Sequence, residues 1–568
     1  IRDRSDKDSH GNMHRVVIVG GGTAGWLAAG VLAAKLSAKH TITLIESPNI
    51  PSIGVGEGSW PSLRDTLLDI GISETEFLTL CQGAFKQGSS FVNWRKGGHC
   101  YHHPFTVPTG YNELDTHTCW QELAPNTSYE DAFSLQAVMC RADKAPKQVA
   151  TPDYAHVLNY GYHFDATKLA ELLKKHCVSK LKVAYLVGHI ARVNPHPNGD
   201  IESVLTEDGQ KVVGDLFIDC SGSSGLLIKE HFNIPWVPVK QTMLNDRAVA
   251  LQVPYSDNDS VIKSTTVATA QTCGWTWDIA LQHRRGVGLV YSSEYASEEQ
   301  AKQTLIDYVS ERYPGARDAQ FSCRTLSFDP GYRAQFWVRN CLSLGMSSGF
   351  VEPLEASAIA MVELGLRMLC EAYPQNKAHM EIVSKRYNKR FEYRWQRVID
   401  FLKLHYVLSD REEAYWLAQR NEASIPDSLS ELLELWKYQS PSRLDLIENE
   451  EIFPSASYQF VLYGMGFSTS SSALRLSEED KRKVLHIRES LQQTKQQYLH
   501  GLPSNNALLN DIARRYNELT NQHKHHPHLP SESQTDHHIS SSTDNGAEVS
   551  KNSTSQKKDA SYDRIGFR

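Results

Sequence analysis

The chain has 568 residues, 22% of them charged, and a formal net charge of −7. That length can bury a large core and build more than one domain, while the acidic balance lacks the basic excess that nucleic-acid binding needs; small molecules and proteins are the expected partners. Ten cysteines are scattered from Cys81 to Cys370 with no C-x-x-C pair and no histidine at metal-ligand spacing, which reads as reduced thiols and no metal centre.

Residues 1–12 are a polar extension without an apolar segment of signal type. The β-branched run Val16-Val17-Ile18-Val19 then stops at Gly20-Gly21-Gly22, and Ala24 to Leu36 reads as an Ala- and Leu-rich helix. Strand, glycine turn and helix place Gly20, Gly22 and Gly25 in G-x-G-x-x-G, with Thr23 and Ala24 between the last two. One glycine serves the turn, one lets backbone approach a pyrophosphate, and one lets helix pack on strand; the diphosphate would lie on the free amides of the helix start. A second apolar run, Thr41 to Ile45, precedes Glu46, an acid placed to accept from a ribose hydroxyl. Val16 to Ala34 is also 19 uncharged residues, long enough to span a bilayer, but three consecutive glycines after a strand-like run argue against a membrane helix.

The segment IPSIGVGEG brings Gly54, Gly56, Glu57 and Gly58 close behind the second strand. Such a loop lets backbone approach a flat ligand, or is an ordinary turn. Lys86 follows in GAFKQGSSFVNWRKGG, before strand-like Ser90 to Trp94; a lone lysine is ordinarily solvated, and nothing local says otherwise. His102, His103 and Phe105 in YHHPF either line a pocket for a planar ring or pack a loop. Asp165 caps a helix carrying Leu169, Leu172 and Leu173. Leu181 to Gly214 reads as a meander of short strands, leading to the buried strand Leu216-Phe217-Ile218 with Asp219, Ser221 and Gly222 at its carboxyl end, where α/β sheets bind ligands.

Residues 246–340 look β-rich; Trp275 and Trp277, two apart, share a strand face as a wall or as core. A strand at Leu342 to Leu344 ends at Gly345, and a long helix is predicted to begin near Pro353, flanked by Glu352 and Glu355. Its free amides would suit an anion or the edge of a flavin. From Lys377 to about Thr520 the pattern is helical, with an S-x-x-D cap at Ser477 to Asp480. The division predicted is 1–12 extension, 13–375 sheet-bearing box, 376–520 helical subdomain and 521–568 disordered tail; His523, His525, His526 and His528 in that tail could take up metal adventitiously.

Taken together, the glycine turn, GVGEG, GAFKQGSSFVNWR, GWTWDI and GFVEPLEAS resemble the flavin-dependent halogenases of the tryptophan halogenase family, from about Val16 to Tyr463. The resemblance implies an α/β fold with mixed α+β parts: a Rossmann-like FAD-binding box of flavin monooxygenase type joined to a mostly helical, pyramid-shaped subdomain. It implies reduced FAD that acts with O2 on chloride or bromide, and hypohalous acid passing to a lysine beside an indole-like substrate. Lys86 matches that lysine and Glu355 the family's acid; Gly20, Gly22, Thr23, Ala24, Gly25, Glu46, Gly56, Glu57, Met346 and Ile359 match the cofactor site, Ser357 and Ala358 the halide site, and His103 and Phe105 the aromatic sandwich on the substrate.

Three departures stand out. Glu355-Ala356-Ser357-Ala358 replaces E-S-T-G, Ala280 replaces the proline ending the Trp motif, and SASYQFVLYGMGF lacks the paired tyrosines and glutamate that grip the amino-acid part of tryptophan. An indole or another electron-rich arene is thus the expected substrate rather than free tryptophan. One dinucleotide fingerprint and no second imply no nicotinamide domain, and so a separate flavin reductase. A cytoplasmic enzyme, compatible with a homodimer, is expected, without nucleic acid or membrane as partner. The alternatives are an aromatic hydroxylase, which starts from the same reduced flavin and oxygen, and a non-catalytic flavin-binding protein.

Overall fold

The structure is a computed structural model that describes residues 13–48, 56–255, 261–316, 321–470 and 476–525. Gly54 and the histidines at 526 and 528 lie outside them. The first strand, Arg15–Val19, is the centre of a six-stranded sheet, paired in parallel with Leu216–Asp219 on one side and Thr41–Glu46 on the other. Cys341–Ser343 and Ala184–Val187 extend it in parallel, and only Trp337–Val338 at one edge runs antiparallel. Ala184–Val187, read in sequence as part of a meander, therefore belongs to this sheet. The meander is confined to Ile190–Pro195, Ile201–Thr206 and Lys211–Val213. Short apolar runs look alike in both settings, and pairing partners distant in the chain decide between them.

Helix Thr23–Lys35 follows the glycine turn, and among the described residues no helix is long and apolar enough to cross a membrane. The three glycines of the turn differ in their surroundings. Gly20 has φ +116°, and a Cβ there would overlap the Cys220 carbonyl. A Cβ on Gly25 would overlap the Gly20 carbonyl oxygen, whereas one on Gly22 would meet nothing within 4 Å.

A second, seven-stranded sheet runs in the order Arg324–Ser327, Arg247–Pro254, Arg284–Tyr291, Gly274–Ala280, Thr266–Gln271, Gly88–Val92, Cys100–Pro104. All its pairs are antiparallel except Thr266–Gln271 with Gly88–Val92. Helix Glu298–Arg312, absent from the β-rich expectation for 246–340, covers one face through Ala301, Leu305 and Val309 against Val249, Leu251 and Leu289. The other face belongs to the main core, so GWTWDIA is buried from end to end. Glu57–Gly58, Gly161–Phe164 and Ala84–Lys86 form a separate three-stranded sheet.

The 31-residue helix Lys377–Val407 opens the helical part of the chain and is buried almost completely over its last turns. The two final helices are Glu478–Gly501, with the predicted Ser477–Asp480 capping box, and Asn505–His525, which passes the boundary placed at 520. Because the Gly25 position has no room for a methyl group beside the Gly20 carbonyl, Gly25→Ala should destabilise by about 1–3 kcal/mol; a thermal midpoint unchanged from wild type would refute this packing role.

Candidate functional site

Helix Thr23–Lys35 has Gly22 as N-cap with no side-chain cap and no acid in its first turn. Its first amides, those of Thr23 and Ala24 among them, are thus left for a ligand, and the open space over Gly22 gives a diphosphate room. Glu46 lies against this turn: its Oε2 accepts from Lys174 Nζ at 2.9 Å and Tyr185 OH at 2.6 Å, and a Cβ on Gly21 would stand 2.6 Å from its Oε1. Gly345, at φ +67°, turns the chain so closely that a Cβ would stand 2.9 Å from Ala24 Cβ, which brings Met346 beside the glycine-turn helix. These residues fit a dinucleotide such as FAD. Gly56 has φ +85° and is buried, and burial first, then the Asp165 charge, pushes the Glu57 carboxyl up to about 7. Asp219 is spent otherwise: its carboxylate accepts from the amides of Ser221, Leu227 and Ile228, and so starts the next helical turn.

The segment after Phe350 departs from prediction. No helix begins at Pro353; a single short turn, Leu354–Ala356, precedes helix Ser357–Glu371. Glu355 (φ 61°) and Ala356 (φ 55°) are both left-handed, a conformation that costs non-glycine residues of order 1–3 kcal/mol each and persists only where the surroundings impose it. Here Trp60 Nε1 donates to the Glu355 carbonyl at 2.7 Å. The turn swings the Glu355 side chain inward and leaves Ser357, buried, Ala358, exposed, and Ile359, buried, in a helix start without a side-chain cap or acid in its first turn.

Glu355 is gripped from three elements. Oε1 accepts from His103 Nδ1 at 2.8 Å and His405 Nε2 at 3.2 Å, and Oε2 from Ser89 Oγ at 3.2 Å. Ser89 and His103 are directly opposed across the pair Gly88–Val92 and Cys100–Pro104, so strand alternation alone turns both toward the acid. The same alternation sends His102 to the other face, where its ring meets Glu130. Burial alone would raise the Glu355 carboxyl, but the His103 and His405 contacts outweigh it and hold the group well below the ordinary carboxylate range.

Lys86 ends strand Ala84–Lys86 and is only 1% exposed, contrary to what a lone lysine suggests. Its Nζ lies 5.3 Å from the centre of the Phe105 ring, and a Cβ on Gly58 would stand 3.1 Å from it. Among the described residues it makes no ion pair. Desolvation lowers its pKa to about 8, against the opposing pull of the Glu355 charge.

Aromatic rings pack around these groups: His103 lies 5.6 Å from Phe401, Phe401 stacks on Phe453 at 3.9 Å, and Phe91 covers His405 at 4.7 Å. Trp275 and Trp277 do share a face, 6.4 Å apart, and Trp275 Nε1 donates to Glu352 at 3.3 Å. A cavity of about 360 Å³ lies elsewhere, beyond Phe460, among Tyr101, Tyr129, Tyr463, Arg95 and Arg141; its arginines are already paired, with Asp410 and with Glu130 and Asp131. Sequence reasoning missed Ser89, Trp60 and His405. His405 could have been suspected from FLKLHY, where it interrupts an apolar run.

Residues 15–479 match the family model described as tryptophan halogenase. The tryptophan 6-halogenase SttH of Streptomyces toxytricini is 31% identical over 477 residues, 80% of this chain and 90% of that protein. The tryptophan 7-halogenase RebH of Lentzea aerocolonigenes is 30% identical over 530 residues, 87% of this chain and 98% of that protein. The crystal structure of a tryptophan halogenase from Shewanella frigidimarina superposes with a TM-score of 0.86 at 43% identity, covering 89% of this chain and 98% of that one.

The open, extended backbone at Gly22 tolerates any side chain, and Asp is a favourable N-cap. Gly22→Asp should therefore leave the thermal midpoint of the apoprotein unchanged or raised, while weakening FAD binding at least tenfold in a titration of flavin fluorescence; undiminished affinity would remove the glycine turn from the flavin site.

Proposed function

From the premise that this chain belongs to the tryptophan halogenase family, we propose that it is an FADH2-dependent halogenase that puts chloride or bromide on an electron-rich, indole-like arene, with Lys86 and Glu355 as its catalytic residues. The observation that carries this is a buried lysine whose pKa desolvation lowers to about 8, close enough to feel the charge of a buried carboxylate that is held ionised. FAD, which Gly20, Gly22, Thr23, Ala24, Gly25, Glu46, Gly56, Glu57, Met346 and Ile359 would hold, supplies together with O2 the two-electron oxidation that turns halide into hypohalous acid. A separate reductase returns the flavin to its reduced form. The unfilled amides at Ser357 and Ala358 suit the halide by their partial positive charge.

Lys86 aims the oxidant. At pH 7 a lysine with a pKa of about 8 has about 300 times more free amine than an ordinary one, so it can accept a hydrogen bond from hypohalous acid or carry the halogen as a haloamine. Held in place, the halogen reaches one ring carbon rather than any exposed nucleophile. The arene loses its ring proton to Glu355, and the hydroxide left from hypohalous acid takes up a proton and departs as water; the sum is arene plus hypohalous acid giving haloarene plus water. His103 and Phe105 flank the substrate. His103 Nε2 is buried and has no hydrogen-bond partner among the described residues, so an indole N–H would satisfy it.

Free tryptophan is disfavoured. In Ser455–Gly464 the amide side chain, Gln459, is already engaged with Tyr129 OH at 2.5 Å and the Pro441 carbonyl at 2.9 Å.

Lys86→Ala should lower halogenated product by about 10²–10⁴-fold with FAD binding and peroxide release intact; product at the wild-type rate would reject the relay. Glu355→Gln should slow halogenation by a similar factor, and an unaffected rate would remove it from the chemistry. Mass spectrometry of indole and tryptophan incubated with enzyme, FAD, a flavin reductase and chloride or bromide should show halogen isotope patterns with indole first; halogenated tryptophan as the dominant product would overturn the substrate reading.

A further inference from the structure

His405 is wholly buried in the helix Lys377–Val407, and its two ring nitrogens have unambiguous partners. Nδ1 lies 2.9 Å from the Phe401 carbonyl oxygen, one helical turn back, which can only accept. Nδ1 therefore carries a hydrogen. Nε2 lies 3.2 Å from Glu355 Oε1, so a hydrogen must also lie between these two atoms. A neutral imidazole has one N–H and cannot supply both. His103 meets its own needs with one hydrogen, on Nδ1 toward the same Oε1, because its Nε2 has no partner among the described residues. The three side chains thus hold one proton beyond what two neutral imidazoles and a carboxylate bring.

We propose that His405 is an imidazolium in the resting protein and acts as the positioning residue for Glu355: its charge keeps the carboxylate ionised and its hydrogen bond, together with that of His103, ties up Oε1. Oε2 is then the oxygen that takes the arene proton, forming an O–H bond as the ring C–H bond breaks, while the Ser89 hydroxyl turns to accept rather than donate. This rests on the function proposed above for Glu355, but the protonation state of His405 does not.

The surroundings agree. His405 is faced by Phe91 at 4.7 Å, Trp94 at 5.9 Å and Phe401 at 5.3 Å, none of which titrates, and Glu355 is its sole ion-pair partner among the described residues. Glu355 is faced by His103 on one strand and Lys86 on another, with the Tyr101 phenol, raised by burial and by the Glu355 charge, remaining neutral. Of the groups that depress Glu355, His103 and His405 are the ones in contact, so removing the His405 charge must raise the acid's pKa.

The first experiment is imidazole nitrogen NMR of the full chain with labelled histidine, comparing wild type with His405→Gln. One signal with both nitrogens protonated at pH 8, absent from His405→Gln, is expected; a neutral His405 at that pH overturns the proposal. Glu355→Gln serves as a second variant, in which the doubly protonated imidazole signal should be lost at pH 8 for want of its counter-charge, and its persistence also overturns the proposal. The second experiment is the pH profile of kcat/KM for halogenation. Glutamine keeps an N–H for Glu355 but carries no charge, so the acid limb should move upward by at least one pH unit. A slower variant whose limb does not move would mark His405 as merely structural. If wild type halogenates no arene yet shows the imidazolium, the functional reading fails and the protonation stands.

Discussion

The packing around Glu355 depends on keeping one buried carboxylate ionised. An unpaired buried charge is among the costliest features a protein can carry, and Glu355 offsets that cost with three donors drawn from two strands and a long helix. Those donors can converge on one side chain only if its backbone enters the chamber at an angle that a regular helix start does not provide. The left-handed pair Glu355 and Ala356 supplies the angle, and the Trp60 indole fixes it from outside. Backbone strain and buried charge are thus two halves of one arrangement: neither would persist without the other.

The same economy governs the two helix starts on the carboxyl side of the parallel sheet. Asp165, Ser297, Asn376 and Ser477 fill the first-turn amides of their helices with their own side chains, whereas Gly22 and Ala356 leave theirs open. In the strand order, Arg15–Val19 lies between Thr41–Glu46 and Leu216–Asp219, with Cys341–Ser343 next, so the start after Gly22 directly follows a central strand, where parallel sheets bind anionic ligands, while the start after Ala356 comes after Cys341–Ser343 and intervening turns. Gly345, pressed against Ala24, holds the two together.

The parts legible in sequence are those whose geometry is local. The glycine turn is written in three nearby residues, of which Gly20 and Gly25 lie where a Cβ would clash and Gly22 faces open space. The capping box at Ser477 is equally local, and the one at Ser297, with Gln300 three residues on, was there to be read but lost against the β-rich pattern around it. Lys86 is different: AFKQG contains nothing that says buried, because burial comes from Gly58 on another strand and Phe105 just beyond the end of a third. The left-handed turn at Glu355 was illegible for another reason. Neither Glu nor Ala favours that conformation, so local propensity pointed to a helix beginning at Pro353, and contacts made elsewhere in the chain overrode it. His405 was hidden by its helix, where one polar residue in a long amphipathic run reads as incidental until its partner is known.

Glu352 and Glu355 show how finely partners rather than position set ionisation. Both lie in the same short segment and both are buried. Glu352 accepts from the Tyr406 hydroxyl at 2.6 Å, from the Asn245 amide and from the Trp275 indole, all neutral donors, with Lys403 its only cationic influence; burial prevails and its carboxyl is raised. Lys403, also buried, is itself pushed down to about 7 by desolvation and hydrogen-bonds the Thr242 carbonyl and Gln419 instead. Glu355 meets two imidazoles, and the balance reverses. At Glu352 the neutral donors do not overcome burial, whereas at Glu355 the imidazole contacts do, so the same desolvation leaves two neighbouring acids shifted in opposite directions.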